Sequence, residues 1–381
     1  MFQIFKIFFF LGWVSFGGPA AHIGYFRQAF VEKRGWLTDS DYAQIVALSQ
    51  FLPGPGSSQV GFAVGYHRGG LPGAIAAFVG FTLPSVAIMV ALATASAELM
   101  GVPLFEQVVH GLKLLAVVVV ADATWGMYKN FCKQSTSIAV AFGTAIVLLI
   151  APSLVSQMLV LVVAALVGMS ALSSTDKTAH APIKVNPWPL ALFLGLLLVL
   201  PLVSAASQSI NLFSQFFQAG SLVFGGGHVV LPLLQNSLGD AVTTETFLTG
   251  YAAAQAVPGP MFTLATFLGF HLLPNSPIAG ALLATMAIFL PGFLLLLGVL
   301  SHWQQLAKRP KVAGAIAGVN AAVVGLLAAA LYQPVVSSAV FSGLDMAAVL
   351  LGFLLLKQLK LPIVGLVSLF MLLGPVLSFV A

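Results

Sequence analysis

The tripeptide Pro-Gly-Pro occurs at 53–55 and again at 258–260, and each copy has a glutamine three residues before it, Gln50 and Gln255. Gly56, Ser57 and Ser58 follow the first copy; Thr263 and Thr266 follow the second. A helix that restarts after such a break exposes first-turn amides that lack acceptors, and its dipole adds partial positive charge there. Hydroxyl donors beside those amides complete an anion site. Gly54 and Gly259 permit close backbone approach. Two glycine runs, Gly17–Gly18 and Gly225–Gly226–Gly227, offer the same freedom, with His22 and His228 close behind them. No acid lies in either break; Asp41 and Glu245 come more than two helical turns earlier. Many donors and no carboxylate suit a ligand that only accepts hydrogen bonds. A tetrahedral oxyanion fits that description better than a sugar, a cation or an amine.

The elements that position these groups follow from composition. Of 381 residues, 59% are hydrophobic and 7% charged, a surface that water could not solvate in a domain of this length. The apolar runs are continuous and helix-length, which predicts an all-α polytopic membrane protein rather than a barrel of short alternating strands. The first run, from Phe2, reads as mature structure because further membrane segments follow it. The basic residues sit in short loops and form no stripe with aromatics, so no nucleic-acid partner is expected; the lipid bilayer is. Cys132 is the single cysteine, which excludes an internal disulfide and a cysteine zinc cluster.

The chain reads as one unit used twice. "VSFGGPAAHIGYF" (Val14–Phe26) matches "LVFGGGHVVLPLL" (Leu222–Leu234), and Leu37–His67 matches Val242–His271. "PGAIAAFVGFTLPS" (Pro72–Ser85) matches "AGALLATMAIFLPG" (Ala279–Gly292), and Gly111–Ala123 matches Gly318–Ala330. The halves are 1–175 and 208–381, joined through 176–207 by a polar linker and one extra membrane segment. About 10–13 membrane segments result. If every segment crossed, Arg27, Lys33 and Arg34 would lie opposite Lys129 and Lys133, against the positive-inside rule. If the FGG and PGP segments enter and leave on one face, the loop cations all fall on one side and the second half is inverted. A kinked spanning helix reads the same way in sequence, so the loop charges carry that choice. Breaks at mid-bilayer survive only inside protein or beside a wet cavity, and paired broken helices in inverted repeats are the plan of secondary transporters.

Lys113, within a membrane segment, is the one cation left over by this assignment, and Asn320 is its repeat partner. A membrane lysine is a functional candidate, here as positive charge in or beside the path; the competing reading is snorkelling to the interface. Asp122 is a candidate proton carrier, or a residue near the far interface. His67 and His271 correspond and sit at segment ends. The absence of HExxH, CxxC and carboxylate clusters argues against a metal site, and no other cofactor is expected. The absence of a P-loop argues against ATP drive.

"SFGGP", "RGWLTDSDYAQIVALSQFLPGPGSSQVGFAVGYHRGGLPGAIAAFVGFTLPS", "FGGGHVVLPLL", "AAAQAVPGP" and "GVNAAVVGLL" resemble the chromate ion transporter family in its long two-domain bacterial form. The resemblance covers nearly the whole chain. It implies a multi-pass bacterial inner-membrane protein that exports chromate and confers resistance, with sulfate as a competing tetrahedral dianion. The substrate-binding candidates are Gly17, Gly18, Gln50, Gly54, Gly56, Ser57, Ser58, Lys113, Gly225, Gly226, Gly227, His228, Gln255, Gly259, Thr263 and Asn320. The unequal copies FGGPAAH and FGGGH make the two half-sites non-equivalent. Sulfate or molybdate uptake is the alternative within transport. A membrane enzyme on anionic lipid head groups and a scaffold subunit are the alternatives outside it, the former without a visible nucleophile–base pair. A homodimer is a compatible assembly.

Overall fold

The computed structural model describes residues 1–16, 18–99, 102–173, 186–224, 230–300 and 309–380, and the regular structure it contains is helical. The first half holds α1 (Phe2–Val14), α2 (Gly18–Phe26), α3 (Asp39–Phe51), α4 (Gly56–Leu99), α5 (Pro103–Phe131), α6 (Ser135–Ile150) and α7 (Leu154–Ala171). Then come α8 (Pro187–Val203), α9 (Gln208–Leu222), α10 (Val230–Leu238), α11 (Thr244–Ala256) and α12 (Leu264–Leu272). The chain closes with α13 (Pro277–Val299), α14 (Pro310–Ala330), α15 (Gly343–Lys357) and α16 (Ile363–Val380). Among the described residues, 5 helices are long and apolar enough to cross a membrane.

The two broken arms start alike. Thr38 caps α3 by accepting from Asp41 N at 3.1 Å, and Thr243 caps α11 by accepting from Thr246 N at 3.2 Å. Each first turn carries an acid, Asp39 and Asp41 or Glu245, which favours the positive end of the helix dipole. Pro53 and Pro258 then end the helices, having no N–H to continue them. α4 reverses inside itself at Gly69 and Gly70 (φ +60, ψ −158), backbone that only glycine adopts readily. The reversal brings Gly65 against Gly73 and Ala77, so the two arms of α4 pack side by side.

These arms define two ends of the molecule. The Arg68 guanidinium lies 5.2 Å over the Trp36 ring, so the chain from Trp36 through the first PGP to Arg68 leaves and returns at one place. It is a hairpin. Met1 packs at Gly69 beside them, which marks this as the near end. From Gly70 to Leu99 α4 runs about 44 Å, enough to traverse the roughly 30 Å hydrocarbon core. The second pair of broken arms enters from the opposite, far end. There Gln208 Nε2 donates to Leu272 O at 2.9 Å, and Ser96 Oγ meets His271 Nε2 at 3.3 Å. Ser96 and Glu106 line a cavity of about 230 Å³ together with Thr243 and Glu245 at the start of α11.

The halves interlock through glycine. A Cβ on Gly111 of α5 would lie 1.9 Å from Phe370 O of α16, and one on Gly318 of α14 would lie 2.0 Å from Ala164 O of α7. Gly111 and Gly318 occupy matching positions in the two copies, so each half lends the same helix to the other's last helix. Close backbone approach of this kind drives helix packing in lipid, where apolar burial offers no preference for a protein neighbour. By contrast, only 6% of the apolar window of α8 is buried, so this linker helix faces outward.

Candidate functional site

The breaks of the two halves meet, and each binds the other. Gly54 N in the first PGP donates to Val223 O at 2.7 Å. Gly259 N in the second PGP donates to Ser15 O at 2.9 Å. Ser15 and Val223 hold matching positions just before the FGG runs, so the two bonds are counterparts. Both glycines have positive φ, +121 and +96, conformations that L side chains rarely adopt. A Cβ on Gly54 would stand 2.9 Å from Gly292 Cα, and one on Gly259 would stand 2.8 Å from Ser85 Oγ. Ser85 and Gly292 are again repeat counterparts. Gln59 ties the crossing together: its Nε2 donates to Pro53 O at 3.0 Å and to Gly292 O at 3.1 Å.

His22 stands at the centre, fully buried. Its Nε2 is 3.2 Å from Ser15 O and its Nδ1 is 3.2 Å from Ser57 Oγ. A carbonyl can only accept, so Nε2 carries the proton, and Nδ1 of the neutral ring accepts from the Ser57 hydroxyl. Phe81 closes edge-on against the imidazole with ring centres 5.2 Å apart.

Around this crossing, Ser15 Oγ, Ser58 Oγ, Gln59 Oε1 and Thr82 Oγ1 are buried and have no hydrogen-bond partner among the described residues. Buried polar atoms in proteins nearly always find a partner, so a concentration of unpaired ones marks a place for a polar guest. The three hydroxyls can donate to an oxyanion. Gln59 Oε1 can only accept, so it suits a water or a protonated group rather than the anion itself.

A cavity of about 460 Å³ opens beside the crossing. Phe16, Gly18 and Tyr25 line it from the first FGG segment, Gln255 from the approach to the second PGP, and Asp122 from α5. Gln255 Nε2 also reaches Met261 Sδ at 2.9 Å, across the break. Asp122 is ion-paired with Lys357 at the end of α15.

The structure gathers some sequence candidates and disperses others. Gly18, Gly54, Ser57, Ser58, Gln255 and Gly259 belong to the crossing or its cavity, as described above. A methyl on Gly56 would stand 3.7 Å from Gln50 Nε2, which places Gln50 at the start of α4. Thr263 Oγ1 donates to Pro260 O at 2.8 Å in the short 3-10 turn that follows the second PGP. Lys113 lies elsewhere: its Nζ is 3.9 Å from Glu245 Oε1 at the start of α11, about 16 Å of helix from the break. Asn320 sits on α14 between Gly318 and Gly325, the contacts with α7 and α6; its Oδ1 is buried and unpaired among the described residues. Gly17, Gly225, Gly226, Gly227 and His228 lie outside the described residues. Sequence reasoning passed over Ser15, Thr82, Ser85 and the side chain of Gln59, and took Lys357 only as a loop cation. The matching of Ser85 with Gly292 was the available signal for one of them.

A family model described as "Chromate transporter" matches residues 2–169 and 210–376. A probable chromate transport protein of Synechococcus elongatus is 28% identical over 86% of this chain and 83% of its own length. A chromate transport protein of Cupriavidus metallidurans is 28% identical over 94% of this chain and 88% of its own. An uncharacterized transporter of Methanocaldococcus jannaschii is 28% identical over 86% and 82%. No solved structure matches.

Proposed function

The chain belongs to the chromate transporter family, and on that premise we propose that it is a secondary transporter exporting chromate, a sulfate-like tetrahedral oxyanion, by alternating access. A family of transporters calls for a path rather than a reaction centre, and chromate is what the Cupriavidus relative's name says it carries. The observation that carries the reading is the reciprocal pair of bonds, Gly54 to Val223 and Gly259 to Ser15. Two broken hairpins entering from opposite ends meet at one crossing, where buried hydroxyls await a partner. Inverted repeats that rock about such a crossing open it to each side in turn.

The near end is the cytoplasmic face in this reading. Arg27, Lys33, Arg34, Arg68, Lys129, Lys133, Arg309, Lys311, Lys357 and Lys360 all lie in its loops or in helix ends running toward it. Lys113 alone of the described cations lies toward the far end, which satisfies the positive-inside rule in a bacterial inner membrane. Export from that face confers chromate resistance.

Everted membrane vesicles carrying the chain test this directly. They should accumulate labelled chromate under an imposed ion gradient, and excess sulfate should compete. Vesicles that accumulate none under any gradient would end the export reading; uptake into right-side-out vesicles would reverse its direction.

A further inference from the structure

We propose that Asp122 and Lys357 form a charge latch at the near-end mouth of the substrate cavity, in which Lys357 receives the oxyanion and Asp122 occupies that lysine while the cavity is empty. The inference rests on the transport reading above and adds the residues that govern entry.

Among the described residues, Asp122 is the one acid lining the cavity that also contains Gly18 and Gln255. An unpaired carboxylate there would repel an incoming dianion. Lys357 prevents this: its ammonium pairs with Asp122 Oδ1, the lysine side chain 40% and the aspartate 29% exposed. A lysine is a point charge on a flexible four-carbon stem, so it can exchange one oxygen partner for another without moving its helix. The carboxylate and the oxyanion are chemically alike toward it, each presenting negative oxygens. Asp122 is thus a built-in competitor for the cation that the substrate needs.

Two features separate a latch from an ordinary structural pair. Asp122 on α5 belongs to the first half and Lys357 on α15 to the second, so the pair joins the two copies of the repeat. The far end carries a matching cavity of about 410 Å³, lined by Leu326, Ala329 and Ala330 of α14 and by Gln157. Ala329 is the repeat counterpart of Asp122, and no acid lines that cavity among the described residues. The charge device therefore guards one mouth only, and the two faces of the transporter differ in how they admit an anion.

The test is equilibrium binding of labelled chromate and of sulfate to the purified full-length protein, as wild type, Lys357→Gln and Asp122→Asn. Removing the cation should weaken binding about tenfold, as the loss of one close charge pair does. Removing the competitor should tighten it several-fold. A structural ion pair gives the opposite pattern, because either neutralisation breaks the same bond and both variants move alike. Shifts in one direction, or none, overturn the latch. Should Lys357→Gln fail to fold, Asp122→Asn decides alone: tighter binding supports the latch, weaker or unchanged binding overturns it. Wild-type protein that binds neither anion would instead bring down the transport reading, and the latch with it.

Discussion

Gly54 N donates to Val223 O at 2.7 Å, joining a break in the first half of the chain to the residue before the FGG motif in the second. Its counterpart, Gly259 N to Ser15 O at 2.9 Å, runs the other way. Neither acceptor is a helical partner, so two amides that a continuous helix would have satisfied internally are satisfied between halves. This allows non-helical backbone to exist deep in the molecule, where an unpaired amide is most costly. It also means that these two amides are not available to a substrate. What remains for an anion is the first turn of α4 and the hydroxyls of Ser15, Ser58 and Thr82.

The two glycines should respond differently to a methyl group. Both substitutions force positive φ on alanine, at a cost of about 1–3 kcal/mol. Gly54→Ala also drives its Cβ into the Gly292 backbone, which cannot yield, whereas Gly259→Ala meets the Ser85 side chain. Adding Ser85→Gly should therefore restore part of the thermal stability lost in Gly259→Ala. No single side-chain truncation should rescue Gly54→Ala. Melting of the detergent-solubilised variants reads this; equal rescue, or none, contradicts the packing.

His22 and Ser57 should behave as one unit. The imidazole joins the first FGG break to the first turn of α4 through Ser15 O and Ser57 Oγ. Truncating either partner leaves a buried polar group unpaired, with a penalty of about 1–3 kcal/mol. In a double-mutant cycle of His22→Ala and Ser57→Ala, the combined loss of stability should fall short of the sum by about 0.5–3 kcal/mol. Additive losses would show that the contact carries no energy.

Much of this architecture was legible in the sequence because duplication writes each feature twice. The two PGP breaks, their threonine caps and the glycines at Gly111 and Gly318 all declare themselves by recurring at matched positions. The hairpin between Trp36 and Arg68 followed from where the cations had to lie. What pairs with what was not legible. Repeat matching aligns Gly54 with Gly259, yet each one bonds to the other half's FGG segment, a long-range crossing that no periodicity encodes. The partner of Lys113 was illegible for a related reason. A lone cation in an apolar run signals a polar neighbour but not which one, and its partner, Glu245, starts a helix more than 130 positions away. Lys357 sat in a short loop rich in cations and read as topology alone.

Lys113 should therefore act at the far mouth rather than at the crossing. Its partner Glu245 is 56% exposed, and pairs of that kind contribute about 0–1 kcal/mol. Lys113→Ala should leave the melting temperature nearly unchanged and leave equilibrium binding of chromate from the near side unaltered. Flux should fall modestly, and raising ionic strength should shrink the difference from wild type, because screened charges steer less. Adding Glu245→Gln should recover part of the flux. Complete loss of binding in Lys113→Ala would instead place the ammonium on the substrate.

The glycine contacts between halves distinguish positions within one helix. On α5, a Cβ at Gly111 would meet Phe370 O at 1.9 Å, while a Cβ at Gly126 would meet nothing within 4 Å. Overpacking a tight contact costs about 1–3 kcal/mol and sometimes more. In an open helical position, alanine instead gains up to about 1 kcal/mol over glycine. Gly111→Ala should thus lower the melting temperature and Gly126→Ala should raise it or leave it unchanged. Gly318→Ala, which meets Ala164 O at 2.0 Å, should match Gly111→Ala because it makes the corresponding contact in the other half. If Gly111→Ala and Gly318→Ala proved as harmless as Gly126→Ala, the two halves would not be held together through these glycines.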